Sequence, residues 1–320
     1  MSISALVLLV LVLVPLFINL GTGIMTQLVT LWIYIILAQS WNLIGGYTGQ
    51  INLGIAAFFG CSVMVTHFLW VAGVPILAAI AAGSLSTIIF AVFIGLPTLR
   101  LKGMYFAVGT LALTQALQVI VQNIFPRSID SPASFVQSYD INPRYYLGLV
   151  LVIIVLAAVY FISRSKLGLA LVAIRDDEQA AQVTGVNTFK YKVLALLISA
   201  FIAGLAGGLY AYFRLYFYYS SAIFGHDWTF SALMSVVIGG AATLPGPILG
   251  GIFMVILSYI FSLTLGQANL IVFGFIFILV VLFLPRGFMG GADLFRPWLS
   301  RWRRKPGKGA ENTISGSSGG

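Results

Sequence analysis

Apolar runs long enough to cross a lipid bilayer dominate this chain. A spanning helix needs about 20 mostly apolar residues. Windows of that kind fall at roughly 3–20, 24–44, 51–72, 75–96, 104–125, 145–163, 191–214, 228–243, 247–265 and 269–285. Lipid offers backbone amides no hydrogen-bond partner, so only helices and closed barrels span it, and windows this continuously apolar select helices. The expectation is an all-α, polytopic membrane protein with about ten transmembrane helices. The chain is only 8% charged, against about 25% in a soluble domain, which leaves no comparable soluble alternative. Windows 51–72 and 228–243 touch glycine clusters and read as interrupted or re-entrant. The N-terminal stretch ISALVLLVLVLVPLFINL has no basic leading region and no clear cleavage site, so it reads as a retained first span.

Charge placement orients these spans. With both termini cytoplasmic, fourteen of the 17 basic residues fall inside, leaving Arg127, Arg144 and Arg214 outside. The positive-inside rule favours that arrangement. Residues 1–290 then form the membrane domain, with a cytoplasmic loop at 164–190 and an outer loop at 126–144. Residues 291–320 form a basic cytoplasmic tail with a disordered Gly/Ser-rich end. The net charge of +9 is concentrated beside the membrane, which suits contact with membrane lipid. It lacks the groove-reading context that nucleic-acid binding requires.

Several functions are disfavoured by what the spans lack. All eight acidic residues lie in loops, at span edges or in tails. Ion-coupled carriers commonly use intramembrane carboxylates or histidines, so a proton-driven carrier is disfavoured. His67 and His226 have no carboxylate or thiol partner at ligand spacing, and no metal site is expected. Cys61, the single cysteine, stands in an apolar run as a small hydrophobe. The sequence contains no G-x-x-x-x-G-K-[ST] phosphate loop, so the chain cannot hydrolyse ATP by that machinery.

Two segments stand out for backbone rather than side chains: WNLIGGYTGQINLGIAAFFG at 41–60 and SVVIGGAATLPGPILGG at 235–251. Interrupted segments in the two halves of a transporter point to its substrate pathway, while small residues also serve close helix packing. The pathway candidates are Asn42, Gly45, Gly46, Gln50, Asn52, Gln115, Gly239 and Gly240. Gln115 and Gln118 share one helix face with Leu111 and suit either a polar pore or an interhelical hydrogen bond.

The stretch LVAIRDDEQAAQVTGVNTFKYK, residues 171–192, breaks the apolar pattern. Asp176 followed by Gln179 three residues later resembles a capping box. Asp177 and Glu178 then suit the first turn of a helix, where its dipole favours acids. Gly185 suits the stop, and Asn187 the cap of the next span. The predicted helix, about 177–184, is too short to stand alone and must dock on its own membrane domain or on a partner.

The spacing E-x-A-A-x-x-x-G, carried by Glu178, Ala180, Ala181 and Gly185, resembles the cytoplasmic coupling loop of ABC importer permeases. The ordered segments SWNLIGGYTGQINLGIAAFFG, LRLKGMYFAVGTLAL, SKLGLALVAIRDDEQAAQVTGVNTFKYKVLALLISAFIAGLAGGLYAYF, VVIGGAATLPGPILGG and LFLPRGFMG are similar to branched-chain amino acid permeases of the LivM type. The resemblance implies an ABC importer subunit without catalytic residues or a cofactor of its own, in a bacterial inner membrane. ATP is used by two partner ATPase subunits. A homologous LivH-type permease completes the membrane pair, and a periplasmic or lipid-anchored binding protein delivers substrate. Arg175, Asp176, Asp177, Glu178, Ala180, Ala181 and Gly185 become the expected coupling residues. The sequence departs from the family at Ile55, usually His, at Met104, near which an acid is usual, and in the loop 126–140. These departures bear on substrate, for which urea, amides and small organic acids are the family's alternatives. A carrier acting alone and a membrane scaffold remain the other functional classes.

Overall fold

The computed structural model describes residues 21–101, 103–125, 137–214 and 220–264, together with 132, 135, 274, 282 and 287–289. The expected span at 3–20, all of the span at 269–285 but 274 and 282, and the tail 291–320 lie outside the described residues, as do 126–131, 133, 134 and 136 of the expected outer loop 126–144. Every regular element among the described residues is helical.

Helix α1 is Thr22–Trp41 and runs into a π-helical turn, Asn42–Tyr47. Helix α2 is Ile55–Val71, α3 is Ile76–Phe90, α4 is Met104–Ile124 and α5 is Ile141–Arg164. Helix α6 is Lys166–Asp176, α7 is Glu178–Val183 and α8 is Thr188–Phe213. Then come α9, Ser220–Ile223, α10, His226–Gly239, and α11, Gly246–Thr264.

Five of these stretches are long and apolar enough to cross a membrane: Thr22–Tyr47, Ile76–Phe93, Met104–Ile124, Ile141–Arg164 and Thr188–Phe213. They correspond to five of the ten expected windows. The other three described windows hold Ile55–Val71, His226–Gly239 and the apolar stretch Gly246–Ile260, none of which is among those five. Glycine-rich backbone shortens α2 at its start and α10 at its end, as the interrupted windows anticipated. At 1.5 Å per residue, the 14 residues of α10 reach about 21 Å, short of a bilayer core of about 30 Å.

Helices α1 and α8 form the centre. Helix α8 packs on α1, α2 and α3, while α1 also packs on α5, α10 and α11. Small residues make the close approaches possible. A methyl group on Gly204 would stand 2.8 Å from Ser84 Cα, and one on Gly207 would stand 3.0 Å from Ser62 Cβ. Hydroxyls then bond across the contacts. Ser62 Oγ donates to Gly204 O at 2.6 Å, Thr87 Oγ1 donates to Ala200 O at 2.8 Å, and Ser40 and Ser199 each bond the other's carbonyl. Without water or a hydrophobic drive between helices, such packing and hydrogen bonding hold a bundle together in lipid.

The end of α5 near Asp140 is anchored differently. Asp140 caps the helix by accepting from Asn142 N at 3.0 Å. Arg144 is buried, with its guanidinium between the Tyr139 ring at 4.1 Å and the Tyr212 ring at 4.4 Å. It also donates to Tyr212 O at 2.8 Å and to Asp140 O. Stacking and carbonyl acceptors help this cation leave water.

Candidate functional site

The two glycine-rich segments, some 200 residues apart in sequence, meet in space. Asn42 opens the π-helical turn and is fully buried. Its Nδ2 donates to Thr243 O at 2.9 Å, and its Oδ1 accepts from Ala242 N at 2.8 Å. One turn earlier, Gln39 Nε2 donates to Leu244 O at 2.8 Å. The backbone between α10 and α11 is thus held open-ended against α1 by two amide side chains. That turn is conformationally demanding: Gly240 has φ 121° and Ala242, a non-glycine residue, has φ 58°. A Cβ on Gly46 would stand 2.7 Å from Ala242 N, so the two segments touch at backbone distance.

The irregular stretch 48–54 is satisfied by side chains from three helices. Trp41 Nε1 donates to Asn52 O at 2.8 Å. Leu53 N donates to Thr110 Oγ1 of α4 at 3.1 Å, and Thr229 Oγ1 of α10 donates to Leu53 O at 3.4 Å. Asn52 Oδ1 accepts from Gly54 N at 2.8 Å. Non-helical backbone at membrane depth persists only where protein encloses it in this way.

The charged loop folds as two helices with a break between them. Ser165 caps α6. Asp177 is extended, with φ −158° and ψ 110°, and its Oδ1 accepts from Gln179 N at 2.8 Å and Ala180 N at 3.0 Å. The cap is therefore Asp177 and not Asp176, as the capping-box spacing suggested. Helix α6 continues through Asp176, so the chain first becomes extended one residue later. Asp176 pairs instead with Arg175, at 3.1 Å. Gly185 does stop α7, with φ 91°. Val186 N donates to Ala181 O and Gly185 N to Gln182 O, each at 3.0 Å, which is a Schellman closure. Asn187 caps α8 through Lys190 N at 3.0 Å, as expected.

Helix α7 packs inward through Ala181, which is 4% exposed, while Val183 is 89% exposed. Gln179, Ala180 and Gln182 lie on its outer side. Glu178 turns back towards the chain: its Oε1 stands 2.6 Å from Lys192 Nζ. Arg175 reaches the glycine-rich segment, where Nη1 donates to Gly46 O at 3.3 Å. The structure therefore joins Arg175 and Gly46, which the sequence had assigned to separate roles. Gln39, Lys192 and the turn 242–244 complete the arrangement. A lysine two residues past the expected loop boundary gave no local signal of its inward role.

The remaining pathway candidates fall in two places. Gly45, Gly46, Gln50 and Asn52 cluster around the break after α1, and Gly239 and Gly240 approach it through the 240–246 turn. Gln115 stands apart, at the middle of α4 and on its exposed side.

An all-helical, multi-pass membrane protein with two interrupted segments in contact defines the class. The chain belongs to the family described as branched-chain amino acid transport system / permease component, which matches residues 23–281. It is 27% identical over 299 residues to the high-affinity branched-chain amino acid transport system permease protein LivM of Escherichia coli K12, covering 80% of this chain and 68% of that protein. It is 25% identical over 288 residues to the permease protein BraD of Pseudomonas aeruginosa, covering 82% and 92%. A shorter match, 30% over 140 residues, is to the permease protein LivH of Escherichia coli K12, covering 43% and 44%. No solved structure matches the chain.

Proposed function

We propose that this chain is a membrane-spanning permease subunit of an ATP-driven importer for branched-chain or related small amino acids. It works by alternating access in a bacterial inner membrane, with α6 and α7 on the cytoplasmic side. ATP is hydrolysed by two separate ATPase subunits, and this chain binds no cofactor. A homologous LivH-type permease stands beside it, and a periplasmic or lipid-anchored binding protein delivers the substrate.

The observation that carries this reading is the connected path from α7 to the membrane interior. Helix α7 is capped at both ends, but six residues cannot hold a helix without support. Its outer side, centred on Val183, is the face for an ATPase subunit. Its inner side is tied to the body through Glu178–Lys192, Arg175–Gly46 and the bonds from Asn42 to the 242–243 turn. A shift of α7 therefore pulls on the point where the two interrupted segments meet.

Helix α4 supports the placement of the pathway beside it. The exposed mid-span residues of α3 and α5, such as Leu85, Ile89, Val150 and Ile154, are apolar and suit lipid. Helix α4 instead presents Gln115 between Val108 and Val119 on an exposed side. An amide at that depth is costly against hydrocarbon, so this side faces the second permease or a wet pathway.

Purification in mild detergent, followed by mass spectrometry of the subunits retained, tests the proposal. A phosphate-loop ATPase and a second permease are expected. A chain that purifies alone and transports leucine in liposomes without ATP would overturn it.

A further inference from the structure

A cavity of about 280 Å³ lies beneath α6 and α7, between them, the stretch 48–51 and the start of α4. That is room for one small molecule, at the lower end of ligand cavities of about 300–1,000 Å³. Its lining divides by chemistry. Arg175, Glu178 and Lys192 occupy one part, and Ile51, Phe106 and Ile174 another.

The charged part retains unused bonding capacity. A lysine ammonium has three donors, and the one described partner of Lys192 Nζ is Glu178 Oε1 at 2.6 Å. Lys192 is only 8% exposed, so its remaining donors have little access to water. Glu178 uses Oε1 for that pair, and Oε2 has no partner among the described residues. Arg175 spends Nε and Nη2 on Asp176 Oδ1 and Nη1 on Gly46 O, which leaves two of the five N–H donors of a guanidinium.

We propose that this cavity is a binding site for a zwitterionic α-amino acid with an apolar side chain. Lys192 and Arg175 receive its carboxylate, Glu178 Oε2 receives its ammonium, and Ile51, Phe106 and Ile174 receive its side chain. The Glu178–Lys192 pair need not break. A simple anion would leave Glu178 facing it, and a cation would face Lys192 and Arg175. A molecule carrying both charges at adjacent atoms, with an apolar branch, meets every part of the lining. Bound there, it touches α6, α7, α4 and the glycine-rich stretch together, and so braces the path that links α7 to the interior.

The choice of ligand rests on the transport reading above, and the test separates the two. Purified full-length chain is titrated with leucine, without ATPase subunits or binding protein. Competition uses 4-methylpentanoate, which lacks the ammonium, 3-methylbutylamine, which lacks the carboxylate, and inorganic phosphate. Saturable leucine binding is expected, with none of the three displacing it at equal concentration. Lys192→Met should weaken binding by at least about tenfold, the order for losing a charge-assisted hydrogen bond. Ile51→Trp, which fills the apolar part without touching the ion pair, should weaken it similarly and decides the matter if Lys192→Met does not fold. No saturable binding, displacement by phosphate, or wild-type affinity in Ile51→Trp would overturn the site. ATP-dependent leucine uptake by the assembled transporter is measured in parallel. Uptake without binding removes only this site, whereas absent uptake removes the transport reading.

Discussion

Replacing Asn42 by leucine tests the junction between the two interrupted segments. The side chains are of similar size, so the change removes polarity more than volume. Two hydrogen bonds vanish, from Asn42 Nδ2 to Thr243 O and from Ala242 N to Asn42 Oδ1. The backbone N–H of Ala242 and the carbonyl of Thr243 are left facing an apolar side chain at a fully buried position. Interhelical hydrogen bonds in membranes average about 0.6 kcal/mol, which sets a floor near 1 kcal/mol for the two. A fully buried orphaned group costs about 1–3 kcal/mol; Ala242 and Thr243 are only partly buried, so about 6 kcal/mol is a ceiling. About 3 kcal/mol is the working value, or a fall of roughly 6 °C in melting midpoint at about 2 °C per kcal/mol for a chain of this size. Gln39→Leu is the control. It loses one bond, to Leu244 O, but also removes a buried Oε1 that has no partner among the described residues, so its midpoint should fall by less than half as much. Heating detergent-solubilised protein and following the folded fraction by fluorescence-detected gel filtration gives both midpoints. An Asn42→Leu midpoint within about 1 °C of wild type, on the same scale, would refute the claim that this amide holds the turn.

Further expectations concern the loop and α4. Gly185→Ala should loosen α7 by about 1–2 kcal/mol, because φ 91° is unfavourable for an L-residue. Apart from its chain neighbours, no atom of the described residues lies within 4 Å of the added methyl, so the effect is conformational, and faster amide exchange across 178–186 reports it. Glu178→Lys and Lys192→Glu should each destabilise the chain by about 2 kcal/mol, below the usual cost for a buried pair, because the Glu178 side chain is 38% exposed. The double reversal should recover part of that loss in a thermal double-mutant cycle. Gln115→Leu should leave stability within about 0.5 kcal/mol, as exposed substitutions usually do, while lowering uptake by the assembled transporter.

The helical, membrane-spanning character was legible because the length and apolar continuity of the windows leave few alternatives. The interruptions were legible too, since Gly45, Gly46, Gly239 and Gly240 mark where regular helix stops. Local capping chemistry placed Gly185 and Asn187 correctly and missed the first cap by one residue. Both Asp176 and Asp177 have a side chain able to cap, and the choice depends on where α6 ends. The spacing of the acids alone does not fix that end, since the helix continues through Asp176 and the chain first becomes extended at Asp177. The long-range pairings were not legible. Nothing local to Asn42 names the 242–243 turn as its partner, and nothing local to Lys192 shows that it turns inward to Glu178. The exposed placement of Gln115 likewise depends on which side of α4 meets α2 and α9.

In the proposed function, α7 is the contact through which an ATPase subunit acts on this chain. Its most direct test places a photoreactive phenylalanine analogue at position 183, where Val183 is 89% exposed, and irradiates intact membranes from cells expressing the whole transporter. A single major adduct containing a phosphate-loop ATPase subunit is expected, formed at position 183 and absent when the probe is placed at the buried Ala181. Adducts confined to lipid, or none at all, from a transporter that still imports leucine would contradict it.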